Sequence, residues 1–370
     1  MSDFNSRVSL TSRLPWLFIE TRARAAGFLS VIAIVIILSL QLELGHSWNL
    51  YAAGGQVAKA GDDFPLLLQA VGNAFEETGG ELVVFVGGST VRELTADDPL
   101  LSKALTSHCG RDIQFVNLGS SSQTFSESWE IAALAPLNRR RLLLVGINPY
   151  RLSFDDSDII SELSHNPSGI PVSYSLLWSV ALHTDHVGSP ERILTSLSRQ
   201  QSFGARLRPL DLFDPSPPVA RQPSEDPFQP DRSSYREPVW TPSEKLRQAN
   251  EYIATRALDF HERFRVGAKW FNRLFDHYQG VGADVKFVIT PTDVSFGKVD
   301  ELIAADLQEA VRLLGGDSRV LDLRDQSKGL DSSDFFDVQH LIAKGRAKLQ
   351  PAFVAGVSRA LGCAPGGVSR

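Results

Sequence analysis

The sequence contains little cysteine, with only Cys109 and Cys363 among its 370 residues. Two cysteines cannot form a disulfide-dense scaffold or a zinc site built from several thiolates. An excess of basic charge is also missing, because 37 Lys and Arg residues are set against 43 Asp and Glu residues. With a net charge of -6, the chain offers no overall positive field to a nucleic-acid partner, and we expect none. The remaining composition, 43% hydrophobic and 22% charged, is typical of a globular protein.

One long hydrophobic run is present, from Ala25 to Leu42, and it contains no charged residue. Its length matches the roughly 20 apolar residues that a membrane-spanning helix needs. Four arginines precede it, whereas the first basic residue after it is Lys59. By the positive-inside rule we expect a single-pass anchor in the inner membrane, with a cytoplasmic N-terminus and an extracytoplasmic, periplasmic remainder. The alternative is a cleaved signal peptide, although the run is long for one and no A-x-A site closely follows it.

The chain beyond this run alternates between short apolar stretches and amphipathic ones, the pattern of a parallel sheet with crossover helices. Helices are expected near residues 90–107, 126–138, 299–314 and 341–361. The predicted fold is therefore α/β, with a flavodoxin-like, doubly wound sheet of five parallel strands. The predicted strands are Leu82–Val86, Asp112–Gly119, Arg141–Pro149, Asp284–Pro291 and Ser318–Leu323.

A large insertion at about 151–250 interrupts this alternation after the third strand. Its middle, residues 208–242, is rich in proline and charge, which disfavours regular core structure and predicts a surface strap or a mobile lid at the cleft. Residues 243–278 are expected to resume as one long helix or a broken pair of helices. The predicted organisation is a cytoplasmic segment 1–24, an anchor 25–44, a connecting segment 45–80, a domain 81–361 that contains the insertion, and a tail 362–370.

Small and polar residues collect in the loops that follow the predicted strands. In open parallel sheets the loops at the carboxyl ends of the strands carry the chemistry. The first loop contains "GGS" ending at Ser89, the second "GSSSQT" beginning at Gly119, the third "GIN" ending at Asn148, and the loop before the last helix "DVQH".

These four blocks resemble those of the SGNH (GDSL-like) hydrolase superfamily, in which a serine, a glycine, an asparagine and a D-x-x-H motif occur in this chain order. The resemblance covers residues 81–150 and about 284–361. The family's G-D-S is here G-G-S, with Gly88 in place of the acid, and its G-x-N-D is here G-I-N-P, with Pro149. Neither departure removes a catalytic atom.

The resemblance implies a serine esterase or acyltransferase without a cofactor or a metal. His340 would take the proton of the Ser89 hydroxyl, and Asp337 would orient the imidazole and stabilise its charged form. The oxyanion hole would consist of the backbone N–H groups of Ser89 and Gly119 and the side-chain amide of Asn148.

Three further residues, Arg92, Ser120 and Ser121, are candidates for binding substrate, with Arg92 suited to an anionic group.

Simpler roles stay open for the same residues. Ser89 and Asp337 could each cap a helix, and Gly119 and Asn148 could be turn residues. A phosphate-binding loop is disfavoured, because "GGSTVREL" lacks the lysine and the glycine spacing of the known motifs. The histidines of "HTDH" at 183–186 could bind a metal, but no third ligand motif lies nearby. Cys109 and Cys363 could pair in an oxidising compartment, or Cys109 could be free and buried.

The sequence thus predicts a membrane-anchored extracytoplasmic esterase or O-acyltransferase. Its expected substrate is a small acyl ester or a glycan of the cell envelope or an exopolysaccharide, to which it adds or from which it removes acetyl groups. A membrane protein that donates the acyl group is a candidate partner. The alternative is a non-catalytic relative that binds a glycan or serves as a scaffold in polysaccharide assembly.

Overall fold

Apolar and β-branched residues form five strands of one sheet in the computed structural model. They pair in the order β2-β1-β3-β4-β5, and every pair is parallel. This is the flavodoxin-like order of doubly wound sheets, so the predicted α/β architecture is confirmed. The strands are β1 (Glu81–Val86), β2 (Ile113–Asn117), β3 (Arg141–Ile147), β4 (Ala283–Ile289) and β5 (Val320–Asp322).

The structure describes residues 80–95, 97–120, 123–133, 140–164, 176, 179–180, 239–293, 297–324 and 329–363. The predicted anchor, the connecting segment up to residue 79, residues 208–238 of the proline-rich middle and the "HTDH" stretch lie outside these ranges. The end of that middle is described, and its last residue, Pro242, begins a helix. Within them, no helix combines the length and the hydropathy that crossing a bilayer requires.

Eight α-helices are found in the described ranges. They are α1 (Ser89–Arg92), α2 (Asp98–Cys109), α3 (Phe125–Ala133), α4 (Asp156–Ser164), α5 (Pro242–Tyr252), α6 (Leu258–Gly280), α7 (Gly297–Leu313) and α8 (Ala343–Ala360).

The helix predicted at 90–107 is in fact two helices, α1 and α2. The chain restarts at Asp97, whose side chain accepts a hydrogen bond from the Leu100 N–H, with Pro99 in the first turn of α2. Proline is common in the first turn of a helix, because the backbone N–H groups there have no acceptor within the helix and proline lacks this N–H. Residues 243–278 were expected to form one long helix or a broken pair, and the structure shows the pair: α5 and α6 are joined by a π-helical turn, Ile253–Ala257.

Alternate residues of the strands point to opposite faces of the sheet, and each face is covered by helices. On β1, Leu82 and Val84 pack on one side with the aromatic residues of α3 and α6. Val83 and Phe85 pack on the other side with α2 and α8. Two buried layers therefore hold the sheet, and the loops at its carboxyl edge are left to form a site.

A disulfide joins Cys109, the last residue of α2, to Cys363, which follows α8. The two Cα atoms are 5.0 Å apart although the cysteines are separated by 254 positions. The sequence left this pairing open, because the distance between two chain ends depends on how α2 and α8 pack on the same sheet face. The bond links helices that both cover the Phe85 side of the core.

Candidate active site

A cavity of about 620 Å³ opens at the carboxyl ends of β1 and β3, where the strand order reverses. In doubly wound sheets this reversal is where ligands bind. Ser89, Asn148 and His340 all line the cavity. The structure thus brings together three of the residues that the sequence singled out.

The loop after β1 is shaped by its glycines. Gly87 has a φ of +149°, a conformation that other residues rarely adopt, and a side chain there would meet Val91 at 2.5 Å. A Cβ on Gly146, at the end of β3, would lie only 2.0 Å from the same valine. The two strand ends therefore close around Val91, which requires glycine at both positions.

Ser89 is the first residue of α1 and not its cap. The N-cap is Gly88, and no side chain caps this helix. The Ser89 hydroxyl instead lies 2.8 Å from Nε2 of His340. Asp337 likewise does not cap α8, whose N-cap is Ile342. The capping roles left open by the sequence are therefore not the ones the structure shows.

The imidazole of His340 is held from its other side by Asp337. Its Nδ1 lies 2.7 Å from Oδ2 and 2.9 Å from Oδ1 of that carboxylate. Oδ1 also accepts the backbone N–H groups of Gln339 and His340. With Nδ1–H donated to the carboxylate, Nε2 is left as the acceptor that faces the Ser89 hydroxyl.

Burial of Asp337 by itself would raise its pKa. The hydrogen bonds from the imidazole and from two backbone N–H groups, with the attraction of His340, outweigh burial and hold the pKa of Asp337 below its usual value of 3.8. The carboxylate is therefore ionised at neutral pH, as a partner for an imidazolium must be.

The loop that carries Asp337 and His340 is fixed by a buried ion pair. Lys245 of α5 and Asp293, which follows β4, are 1% and 0% exposed, and Nζ lies 3.0 Å from Oδ2. The ammonium also donates to the carbonyl oxygens of Ser332 and Phe335, immediately before the loop. The N–H of Asp293 donates to the Val338 carbonyl inside it. One lysine thus joins α5, β4 and the loop.

Asn148 has an extended backbone, with φ -68° and ψ 130°, because the following Pro149 disfavours the helical conformation for the residue before it. Its Oδ1 accepts the Tyr150 N–H, which turns Nδ2 toward the Oε1 atom of Gln339, 2.5 Å away. An amide nitrogen carries two hydrogens, so one remains for another acceptor. The N–H of Ser89 is a second donor on the loop, since the first N–H groups of a helix have no acceptor within it.

Gly119 does not fit the oxyanion role that was predicted for it. Its N–H donates to Oδ1 of Asn117 at 2.8 Å in a buried hydrogen bond, and Gly119 is not among the residues that line the cavity. A side chain at this position would meet the Arg92 backbone nitrogen at 2.6 Å. The glycine is thus required here by the close approach of the loop to α1.

Two of the three predicted substrate-binding residues, Arg92 and Ser120, do not line the cavity. Arg92 does not line the cavity, and its guanidinium lies 3.8 Å from Glu93. Ser120 is buried, and its N–H donates to the Gly87 carbonyl, so it supports the loop that carries Ser89. Ser121 lies outside the described residues.

Four residues of the site were missed by the sequence. Gln123 accepts the Gly87 N–H at 2.6 Å, and Arg151 donates to the Gln123 carbonyl, so both brace the loop that carries Ser89. Gln339 orients Asn148, and Arg256 lines the cavity from the π-helical turn. Gln123 and Gln339 lie inside the motifs "SSSQT" and "DVQH", so their position in the sequence could have identified them as site residues. Arg256 lies in no motif, and nothing in the sequence indicated its place in the cavity.

The site can therefore activate a serine hydroxyl and offer hydrogen-bond donors near it. Within the described ranges, no three His, Cys, Asp or Glu side chains come together as metal ligands. No protein-family model matches this chain, and no curated protein matches it significantly.

Proposed function

We propose that this protein is a serine esterase or O-acyltransferase of the SGNH type that works through an acyl-serine at Ser89. The observation that carries the proposal is the continuous hydrogen-bonded chain from Ser89 Oγ through His340 to Asp337. A serine, a histidine and a carboxylate in this relation form the arrangement that activates a hydroxyl for attack.

In the first half of the reaction, Ser89 Oγ attacks the ester carbonyl carbon while His340 Nε2 takes the hydroxyl proton. The imidazolium that forms is stabilised by Asp337. The negative charge that develops on the carbonyl oxygen is met by the Ser89 N–H and the remaining Asn148 amide hydrogen. The carbon–oxygen bond to the leaving alcohol then breaks, and the alcohol takes its proton from Nε2.

In the second half, an acceptor hydroxyl gives its proton to Nε2 and attacks the acyl carbon. The bond to Ser89 breaks, and Oγ recovers the proton. Water as the acceptor makes the protein an esterase, whereas a sugar hydroxyl makes it an acyltransferase. The chemistry at Ser89 is the same in both cases.

The proposed setting is extracytoplasmic, with the domain anchored through Ala25–Leu42 and acting on a small acyl ester or on a glycan of the cell envelope or an exopolysaccharide. The Cys109–Cys363 disulfide supports this setting, because disulfides persist in oxidising compartments. The glycan and the acetyl group follow from the resemblance, as does a membrane acyl-donor protein as partner. The flavodoxin-like strand order is compatible with the fold that this resemblance implies.

A non-catalytic glycan-binding or scaffold protein is the second candidate, and one observation favours it. The Gly119 N–H, which the resemblance assigns to the oxyanion hole, is occupied by Asn117. A site that no longer stabilises an oxyanion could still bind a glycan in the same cavity.

A fluorophosphonate probe separates the two candidates, because it reacts only with an activated serine. We expect the full-length protein, kept in its membrane or in detergent, to be labelled at Ser89. The Ser89→Ala variant should not be labelled, whereas Ser318→Ala, which removes an exposed serine outside the cavity, should label like the wild type. An unlabelled wild-type protein would favour the scaffold.

A further inference from the structure

We propose that the cavity binds a substrate through a negatively charged group, a carboxylate or a phosphate, held by Arg151 and Arg256. This inference rests on the proposed function and adds the substrate class. It differs from the sequence-based expectation, in which Arg92 had this role.

Both arginines line the same cavity as Ser89 and His340. Arg151 belongs to the 3-10 turn Pro149–Leu152 that follows Asn148. A side chain on Gly88 would lie 3.1 Å from Nη2 of Arg151, so the guanidinium lies directly beside the residue before the nucleophile. A group bound there is therefore within reach of an ester positioned at Ser89.

Arg151 has no carboxylate at ion-pair distance among the described residues, and its guanidinium donates to the carbonyl of Gln123. Its side chain is exposed to the cavity but lies deep in the molecule, and this burial lowers its pKa. The nearby positive charge of Arg256 acts in the same direction, while Glu162 and Glu127 oppose it. Glu162 is already held by the N–H and the hydroxyl of Ser126. Two close cations in one cavity are stabilised when an anion binds between them.

The third arginine of the cavity shows the contrast. Arg263 has two carboxylate partners, Asp158 at 3.3 Å and Asp155 at 3.6 Å. Arg151 donates to a neutral acceptor, the Gln123 carbonyl. Arg256 forms no ion pair with any residue that the structure describes. Of the three arginines that line the cavity, Arg151 and Arg256 are thus the two without a carboxylate ion pair among the described residues.

Arg256 is placed there by an unusual element of the backbone. It lies in the π-helical turn Ile253–Ala257 between α5 and α6, and such turns occur frequently at functional sites. The same region brings Tyr252 against Tyr150, with ring centroids 5.4 Å apart, and both rings line the cavity. Aromatic faces provide apolar surface for the C–H face of a sugar ring, beside guanidinium groups whose planar donors match a carboxylate or a phosphate.

The test uses three aryl acetates that differ in one substituent: 4-acetoxybenzoate, its neutral methyl ester, and 4-acetoxyphenyl phosphate. We expect the wild-type protein to hydrolyse at least one of the two anionic esters with a kcat/KM at least tenfold above that of the neutral ester. The preferred anion identifies the group as a carboxylate or a phosphate. Arg256→Gln should reduce this ratio at least tenfold, and Arg256→Lys should restore part of it.

The control is Arg247→Gln, which removes an exposed arginine of α5 outside the cavity and should leave the ratio as in the wild type. Equal kcat/KM for neutral and anionic esters in the wild type, or an unchanged ratio in Arg256→Gln, would overturn the inference while leaving the esterase intact. A protein that hydrolyses none of the three esters and is not labelled by the fluorophosphonate would overturn the proposed function itself.

Discussion

The hydroxyl of Ser89 lies 2.8 Å from Nε2 of His340, although 251 positions separate the two residues in the chain. The contact arises because the end of β1 and the loop before α8 meet at the carboxyl edge of one parallel sheet. Ser89 does not cap α1, and His340 does not cap α8. The Ser89 hydroxyl and His340 Nε2 are therefore available to bond to each other.

The first prediction concerns this contact. Removing a triad nucleophile can reduce turnover by about a millionfold, whereas loss of a helix cap costs about 1 kcal/mol of stability. Since Ser89 is not a cap, we expect Ser89→Ala to abolish ester hydrolysis with little change in Tm. His340→Ala should abolish it to a similar degree, because serine and base act as a unit. Near wild-type turnover in Ser89→Ala would refute the assignment.

Asn148 gives the second prediction. Loss of one oxyanion donor typically slows an acyl-transfer enzyme by roughly a hundredfold or more. We therefore expect Asn148→Ala to reduce kcat on an aryl acetate by that factor. Gln339→Ala should have a smaller effect, because Gln339 orients the amide of Asn148 through one hydrogen bond and is not itself placed in the oxyanion hole. Equal losses in both variants would assign the oxyanion role to neither side chain in particular and contradict this prediction.

The sequence was sufficient to predict where the parallel strands lie and which loops meet at their ends, because both follow from local patterns. Apolar runs mark β1 and β3, and the residues that follow them fall at the same sheet edge for any doubly wound order. The contact between Ser89 and the Asp337–His340 loop was expected from the resemblance of the four sequence blocks, and not from the strand pattern alone.

Features that depend on how side chains pack between distant elements could not be read from local patterns. The N–H of Gly119 is turned to Asn117, and the space beside it is filled by the backbone at Arg92. Lys245 has the sequence context of a surface lysine in "PSEKLRQ", yet its side chain is 1% exposed because it pairs with Asp293, which follows β4. Arg92 lies on α1 and Asp293 follows β4, so both close contacts join parts of the chain that are far apart in the sequence.

Acid stability provides the third prediction. A carboxylate whose folded-state pKa is lowered adds stability above its unfolded-state pKa, and this contribution is lost as the pH falls through the folded-state value. The lowered pKa of Asp337 therefore predicts that the free energy of unfolding of the wild type exceeds that of Asp337→Asn by a constant amount above about pH 5. The difference should shrink below the usual carboxylate pKa of 3.8. Urea unfolding of both proteins at pH 7, 5, 4 and 3 measures it. A difference that grows toward low pH would contradict the ionised state of Asp337.

The fourth prediction concerns the ion pair beside the loop that carries Asp337 and His340. Lys245 Nζ lies 3.0 Å from Asp293 Oδ2, 3.1 Å from Ser332 Oγ and 2.9 Å from the Phe335 carbonyl. Removing one partner of a buried ion pair leaves an uncompensated charge and costs about 3–5 kcal/mol. We expect Lys245→Met to lower the free energy of unfolding by that amount, as measured by urea denaturation.

A matched control is Lys344→Met, because this lysine also contacts the segment before the loop but its side chain is 53% exposed. Its partner Asp334 is buried but keeps Lys348 at 2.6 Å, so no carboxylate is left unpaired and this variant should stay within about 1 kcal/mol of the wild type. The double variant Lys245→Met/Asp293→Leu should recover part of the loss, since it leaves no buried charge behind. If Lys245→Met unfolds within about 1 kcal/mol of the wild type, the pair does not hold the loop. Ester hydrolysis is measured on the same variants. If Lys245→Met is less stable and the double variant regains stability but still hydrolyses esters poorly, the ion pair is needed to position His340 and not only for folding.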